Sequence, residues 1–405
     1  MGARGSCSCK PQRYGHRCRQ RIGCTAKNES LPSNGLVRGQ QGDIFTCKFS
    51  PDGKTLVIGG RSNMISMYDT MTWGLEQNIG LANEHKSNEP SEIRVIDFSQ
   101  DGKLMVVGMG SGLVYVYQNG NHEGKAGDVK ALPIGKPSWK PLHVLKEHTK
   151  RITCFSFIGK KCLLSGSRDS KAIFWELDTG TPVKKISPNF QPVNTCAVSS
   201  KGLIAIGTVS SPSARPQKNV ALSFWNTNMK CIRREWLITY TSDEKGNPNS
   251  VIYHDVTAVD FSPDGEILAA CLSCALWIFE TRSFSRMKKI ELPGCCIPSC
   301  TFSSSGDYLV FSTTRMDLGW SWEKSGGDRE LQSPAVWIYC GKDFKKIKYF
   351  HGHRRIIMSC DVAPDERTIA SVSKNVYAVD QRVDSNVRLW DMEAAKEEHL
   401  HEDDS

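Results

Sequence analysis

The chain has 405 residues, 39% hydrophobic and 23% charged, the proportions of a globular protein rather than a disordered one. No run approaches the roughly 18 apolar residues of a membrane-spanning helix. Its 52 Lys and Arg against 43 Asp and Glu leave a net charge of +9, spread along the chain; this favours acidic partners mildly and calls for no specific nucleic acid.

Residues 1–34 read as a basic, flexible N-terminal tail. Within 1–28 stand Arg4, Lys10, Arg13, Arg17, Arg19, Arg21 and Lys27, with no acid. Met1-Gly2-Ala3-Arg4-Gly5-Ser6 fits the pattern for myristoylation at Gly2, and Cys7 and Cys9 are placed to take the second acyl chain that stable anchoring requires. Three readings stay open: a peripheral membrane tether, an organelle transit peptide and a plain tail. Cys7, Cys9, Cys18, Cys24 and His16 lack zinc-finger spacing, so no metal site is expected.

From residue 35 one pattern is written seven times. An apolar run ends at a landmark residue, a turn follows, and two further apolar runs close on an aromatic. The landmarks are Phe49, Phe98, Phe157, Val198, Phe261, Phe302 and Val362. The turn is clearest at Ser50-Pro51-Asp52-Gly53, Ser99-Gln100-Asp101-Gly102 and Ser262-Pro263-Asp264-Gly265, where Gly tolerates the positive φ of a tight reversal. The closing aromatics include Tyr68, Tyr117, Trp175, Trp225, Phe279, Tyr339 and Trp390. Runs such as Thr55–Gly59 and Leu104–Gly108 are apolar nearly throughout, as suits strands buried between stacked sheets. A small sheet apolar on both faces needs neighbours on both sides, and closing a ring supplies them.

Sixteen cysteines raise the question of disulfides. Cys47, Cys196, Cys300 and Cys360 each stand two residues before a landmark, on the same strand face, and so read as small core hydrophobes. That usage predicts a reducing, cytoplasmic setting.

Residues 35–392 resemble the WD-repeat family, whose period is about 40–45 residues with Gly-His and Trp-Asp landmarks. Two spacings, Phe157 to Val198 and Phe261 to Phe302, fit that period, and the others carry insertions. Within 35–392, Trp390-Asp391 is the one literal Trp-Asp, and His351-Gly352-His353 holds the one Gly-His. The resemblance implies an all-β fold: a single seven-bladed β-propeller of four-stranded antiparallel blades, with flexible tails at both ends. It also implies a buried set joining a loop His, a turn Asp and a third-strand Trp. The third copy supplies His148, Asp169 and Trp175, and the seventh His353, Asp384 and Trp390. Elsewhere the turn position reads Ser62, Ser111, Asn219, Ser273 and Ser333. The role of such a set is structural. The seventh copy ends at Trp390-Asp391-Met392 with no fourth strand behind it, so residues 35–38 are expected to complete the last blade and close the ring.

In a four-stranded meander the second-to-third and the blade-to-blade connections leave from one face. Long connections at 209–219, 314–334 and 374–385, and the stretch 241–253, fall there; the insertion at 118–140 opens on the other face. The 314–334 loop carries Arg315, Trp320, Trp322 and Arg329, residue types that dominate binding hot spots, and these are the candidate partner-binding residues. Lys184-Lys185, Lys288-Lys289 and Lys345-Lys346 occupy equivalent outer strands. They read either as protection of sheet edges or as a basic rim for an acidic partner. Residues 393–405 form an acidic tail.

The sequence has no Gly-rich phosphate loop, no His-Glu-x-x-His helix and no nucleophile elbow, so no cofactor is expected. A non-enzymatic platform for protein partners is therefore the expected function. A propeller enzyme is the remote alternative, to be recognised by acids and histidines converging on the central channel. Ser91–Phe98, Gly112–Tyr117 and Ile173–Glu176 are also similar to blades of the echinoderm microtubule-associated-protein-like family. That similarity would imply tubulin or a ciliary structure as partner and a cytoskeletal location. The second propeller and the hydrophobic entry motif of that family are absent.

Overall fold

The Ser-x-Asp-Gly turns fold as their chemistry requires. Ser50 Oγ donates to Asp52 Oδ1 at 2.6 Å and accepts from the Thr55 amide at 3.0 Å, while Gly53 takes a φ of +72°. The same Ser–Asp pair recurs at Ser99 and Asp101, and at Ser262 and Asp264. In the last copy Glu366 fills the glycine position at a φ of +58°. Its carboxylate accepts from Ser305 N at 2.6 Å and from Ser305 Oγ at 3.0 Å, contacts that offset the strain of a left-handed non-glycine residue.

The computed structural model describes residues 42–81, 92–120, 139–209, 221–235, 238–242, 248–253, 255–272, 275–292, 295–315, 334–353, 355–374 and 387–393. Blade 1 comprises β1 (Ile44–Phe49), β2 (Thr55–Gly60), β3 (Met64–Asp69) and β4 (Leu75–Gly80). Blade 2 comprises β5 (Ile93–Phe98), β6 (Leu104–Met109), β7 (Val114–Asn119) and β8 (Trp139–Leu145). Blade 3 comprises β9 (Ile152–Ile158), β10 (Cys162–Ser167), β11 (Ala172–Glu176) and β12 (Thr181–Ile186). Blade 4 comprises β13 (Val193–Val198), β14 (Ile204–Thr208), β15 (Leu222–Trp225) and β16 (Cys231–Glu235). A separate hairpin, β17 (Ile238–Ser242) with β18 (Pro248–Tyr253), stands between blades 4 and 5, where the sequence was expected to give only a loop.

Blade 5 comprises β19 (Val256–Phe261), β20 (Ile267–Leu272), β21 (Ala275–Glu280) and β22 (Arg286–Glu291). In blade 6 the first strand is broken into β23 (Cys295–Cys296) and β24 (Cys300–Phe302), both paired with β25 (Tyr308–Arg315), followed by β26 (Ala335–Cys340) and β27 (Lys346–His351). The break holds Pro298, which has no amide proton to give a ladder. Blade 7 comprises β28 (Ile357–Val362), β29 (Thr368–Ser373) and β30 (Val387–Asp391). Its expected fourth strand at 35–38 lies outside the described residues.

The first strands touch in a closed cycle, β1 to β5, β9, β13, β19, β24, β28 and back to β1. The seven copies are thus a closed β-propeller. Its core is seven separate clusters, one between each pair of neighbouring blades. Between blades 7 and 1, for example, Ile44, Leu56, Ile58 and Tyr68 pack on Ala370, Val372 and Leu389. Close stacking sets one residue type directly. A Cβ on Gly59 would lie 2.5 Å from Ile93 Cγ2, and one on Gly108 would lie 2.7 Å from Ile152 Cγ2. Each of these glycines leaves room for the first apolar residue of the next blade.

The six described outer strands, β4, β8, β12, β16, β22 and β27, share a bulge at one register position. A bulge twists an edge away from further pairing. For the last blade, deleting residues 1–40 is expected to lower the melting midpoint by several degrees, whereas deleting 1–30 leaves it unchanged. Equal effects would exclude closure by residues 35–38.

Candidate functional site

The first strands surround a cavity of about 300 Å³ on the propeller axis. As edge strands they present unpaired amides and carbonyls to it, and side chains of neighbouring blades satisfy many of them. Val198 N donates to Ser156 Oγ at 2.9 Å, Val259 N to Thr195 Oγ1 at 3.2 Å, and Phe302 N to Asp260 Oδ2 at 2.8 Å. Cys360 N donates to Ser299 Oγ at 3.3 Å and Phe49 N to Asp361 Oδ2 at 2.8 Å. Nearer the starts of the strands, carbonyls are used instead: Thr153 Oγ1 donates to Val193 O at 3.0 Å, Asn194 Nδ2 to Val256 O at 2.8 Å, and Thr257 Oγ1 to Ile297 O at 2.6 Å. Each bond joins one blade to the next.

At the far end of the first strands stand Lys48, Asp97, Asp260 and Asp361, each one residue before its landmark. Lys48 Nζ lies 2.9 Å from Asp361 Oδ1. Burial pushes Lys48 toward its neutral form, but Asp361, Asp97 and Asp260 together outweigh that and hold its pKa well above the ordinary lysine value. Burial raises Asp97 to about 6 against the attraction of Lys48 and the Phe98 amide, and the negative charges of Asp361 and Asp260 add to the rise. Asp260 is also raised to about 6 by burial, against hydrogen bonds from Phe302 and Phe261 and the attraction of Lys48. One cation thus faces three carboxylates. The lining of the channel includes acids but no histidine, and the described residues hold no cluster suited to a metal ion.

The sequence predicts the polar network of blade 3 but not its hub. His148 Nδ1 lies 2.9 Å from Asp169 Oδ2, and His148 Nε2 lies 2.8 Å from Ser165 Oγ. Trp175 Nε1 donates to the same Ser165 Oγ at 2.8 Å. Burial pushes Asp169 up, yet its bonds with His148 and the amides of Thr149 and Lys171 prevail and hold it below the usual carboxylate range. In blade 7, Ser371 Oγ is the hub, 2.7 Å from His353 Nε2 and 2.8 Å from Trp390 Nε1; Asp384 lies outside the described residues. Blades 4 and 6 bind their tryptophans without such a histidine: Trp225 donates to Ser223 Oγ at 2.9 Å and Trp337 to Thr313 Oγ1 at 2.9 Å.

All six rim lysines are engaged within the fold. Lys184 Nζ donates to Asn228 O at 2.7 Å, and Lys288 Nζ to Asp343 O at 3.0 Å and Phe344 O at 2.7 Å, each capping a turn of the next blade. Lys185 pairs with Glu147, Lys289 with Glu291, and Lys345 with Asp343. Lys346 lies over the rings of Trp337 and Tyr349. These contacts give the lysines a structural use besides the edge protection expected from the sequence. The thiols of Cys47, Cys196, Cys300 and Cys360 are buried and unpaired, and burial raises Cys47 and Cys360; Cys196 and Cys300 are raised by contact with Cys154 and Cys271 and by burial. Such thiols are poor nucleophiles.

The face bearing the second-to-third and blade-to-blade connections is the more elaborate. It carries the β17–β18 hairpin and the end of β25, where the backbone of Arg315 pairs with Cys295. Trp320, Trp322 and Arg329, like Gly2, Cys7 and Cys9, lie outside the described residues. On this face the sequence reading missed Phe190, which ends a 3₁₀ turn at Pro188–Phe190 and is 87% exposed. No periodicity marks a lone Phe in a linker.

Meander blades stacked round an axial channel define the class. The family model described as WD domain, G-beta repeat, matches residues 33–69, 139–176, 246–279 and 344–391. The chain is a WD-repeat β-propeller. Propellers of this family are typically non-catalytic and generally bind protein partners. No curated protein gives a significant match to the chain. The match at 139–176 takes in β8 and then β9 to β11, so a sequence repeat begins on the outer strand of the preceding blade. The match beginning at residue 33 has the same phase, which is what closure through 35–38 requires.

The acids of the channel give a pH test. Because Asp97 is raised in the folded state, the native protein keeps a proton that the unfolded chain releases. Its contribution is therefore most favourable below about pH 4, the unfolded carboxylate range, and is lost as pH rises to about 6. Asp97→Asn retains an acceptor for the Phe98 amide. It is expected to stabilise the protein at pH 8 by about 1–2 kcal/mol, allowing for solvent in the channel, with the gain vanishing near pH 4. Melting midpoints across that range check it; a variant less stable than the wild type at pH 8 would contradict the assignment.

Proposed function

We propose that the chain is a non-enzymatic scaffold that binds protein partners through the face of its second-to-third and blade-to-blade connections. The observation that carries this reading is the difference between the two faces. The first-to-second turns are short and similar, built from the same Ser-led motif in blade after blade. The other face holds the β17–β18 hairpin, the exposed Phe190 and three long connections, all on a ring fixed by inter-blade bonds. The opposite face carries one long connection, between β7 and β8, and a rigid scaffold with most of its elaborated connections on one side is suited to recognition. Within the channel the acids Asp97, Asp260 and Asp361 bond Lys48 and the edge amides, a use that serves the ring itself.

Arg315, Trp320, Trp322 and Arg329 follow from that face as the first residues to test. Trp320→Ala with Trp322→Ala is expected to leave the fold intact and to weaken partner binding by about 2 kcal/mol, roughly 30-fold. Affinity purification with mass spectrometry from native cells, comparing the wild type and the double variant, identifies the partners this face recruits. An unchanged partner set in the double variant would refute the assignment of this loop. Loss of folded circular dichroism would show instead that the tryptophans cover their own blade.

A further inference from the structure

In blades 1 to 4 and 7 the residue just before the first strand is clasped to the second-to-third connection of its own blade. Arg61 N donates to Asp43 O at 2.9 Å, Gly110 N to Glu92 O at 2.8 Å and Arg168 N to Arg151 O at 3.1 Å. These pairs ring the mouth of the channel on the elaborated face. In blade 1 the ring position is an acid, Asp43, 3.7 Å from Arg61; in blade 2 it is Glu92, paired with Arg94. Blade 3 differs from these two. Its ring residue is Arg151 and its turn residue is Arg168, two guanidiniums where the preceding blades set a carboxylate beside an arginine.

Arg94 adds a third guanidinium. Arg151 is pulled down by burial and then by the charges of Arg168 and Arg94, with Glu92 opposing. Arg168 is pulled down by burial and by Arg94, with Asp255 opposing. Three cations therefore share this sector with two acids. Arg168 gives one Nη2 bond to Asn194 Oδ1 at 3.2 Å, and the Arg94 guanidinium lies 4.3 Å from the Phe45 ring centre. The Nε donors of both Arg94 and Arg168 are buried and have no hydrogen-bond partner among the described residues. Neither arginine therefore has its hydrogen-bonding capacity filled within the fold, and a carboxylate is the strongest acceptor for a guanidinium.

Next along the same face comes the linker between blades 3 and 4, where Phe190 stands four residues before Asn194. Its ring is 87% exposed and its backbone is left-handed, with a φ of +57°. An aromatic residue in that conformation is strained, and one held in solvent gains nothing from burial. Its neighbour Pro188, by contrast, is buried. The chain therefore holds the aromatic ring out while anchoring the turn beneath it.

We propose that this sector, at blades 2 to 4, docks an acidic segment of a partner protein, with carboxylates on Arg94, Arg151 and Arg168 and an apolar side chain against Phe190. The inference rests on the scaffold reading and specifies the chemistry of one partner. Interspersed Glu92 and Asp255 oppose a polyphosphate track, whereas a peptide with spaced carboxylates fits around them.

The test uses the full chain and a fluorescein-labelled peptide alternating Glu with Phe. Two matched peptides carry Gln or Lys in place of Glu, and binding is read by fluorescence anisotropy at low and physiological salt. The Glu peptide is expected to bind best and more weakly as salt rises. R151Q with R168Q, and separately Phe190→Ser, should each weaken it about tenfold or more. Lys103→Gln with Lys160→Gln removes the same charge from the opposite face and should change binding by less than roughly twofold. Melting curves establish that all variants are folded.

Equal loss from the opposite-face variant would reduce the effect to net charge and overturn the proposal. So would equal binding of the Gln peptide, no binding at millimolar peptide, or competition by a single-stranded oligonucleotide as strong as by unlabelled peptide. The same arginine variant, carried through affinity purification, separates this inference from the scaffold reading. If partners are retained by the arginine variant but lost by the Trp320/Trp322 variant, the acidic-segment site fails and the scaffold stands. If neither variant changes the partner set, both fail.

Discussion

A ring of small sheets has one unavoidable problem, the free inner edge of every blade. Outer edges face solvent and are handled by bulges and lysines, but inner edges face one another across a narrow channel that cannot accommodate a further strand. In this propeller the inner edges are tied together by side chains. Ser156, Thr195, Asp260, Ser299 and Asp361 each accept an amide proton from the next blade. Buried backbone groups must find partners, and here the partner also fixes the angle between blades. The polar channel, the carboxylate cluster and the rigidity of the faces all follow from that arrangement.

The cost of the solution is concentrated at Lys48, Asp97, Asp260 and Asp361. An acid is a strong acceptor for an edge amide, but three acids round one lysine repel one another. Burial raises both Asp97 and Asp260 to about 6, and at Asp97 the charges of Asp361 and Asp260 add to it. Charged groups in such a setting are weak evidence for stability and better evidence for a specified geometry. Asp260 shows why: its two oxygens hold Phe261 N at 2.9 Å and Phe302 N at 2.8 Å, so one side chain positions two blades.

Much of the fold is legible in the sequence because the turn chemistry repeats. Phe49, Phe98, Val198, Phe261, Phe302 and Val362 end their first strands, Phe157 stands one residue before the end of its own, and the closing aromatics mark the third. Tertiary packing hides the rest. Ser165 sits in an apolar run and reads as a small strand residue, yet it joins His148 to Trp175. Lys48 and its acids read as the wet side of a strand, because nothing local shows that seven such positions meet. The β17–β18 hairpin, with its short strands, resembles a loop. The rim lysines have a local signal, but their targets, such as Asn228 and Phe344, lie in the next blade and become visible only once blades are stacked. The long connections could be assigned to one face from the meander alone; the arginines at the channel mouth and Phe190 become visible only once the blades are stacked.

Hydrogen exchange at the inner edge measures the central constraint most directly. If side chains of neighbouring blades hold the first strands, the amides of Val198, Val259, Phe302, Cys360 and Phe49 exchange as slowly as those of buried second-strand residues such as Val57, through opening of the whole ring. Rapid exchange at these five amides, with second strands still protected, would show inner edges open to solvent and contradict the account.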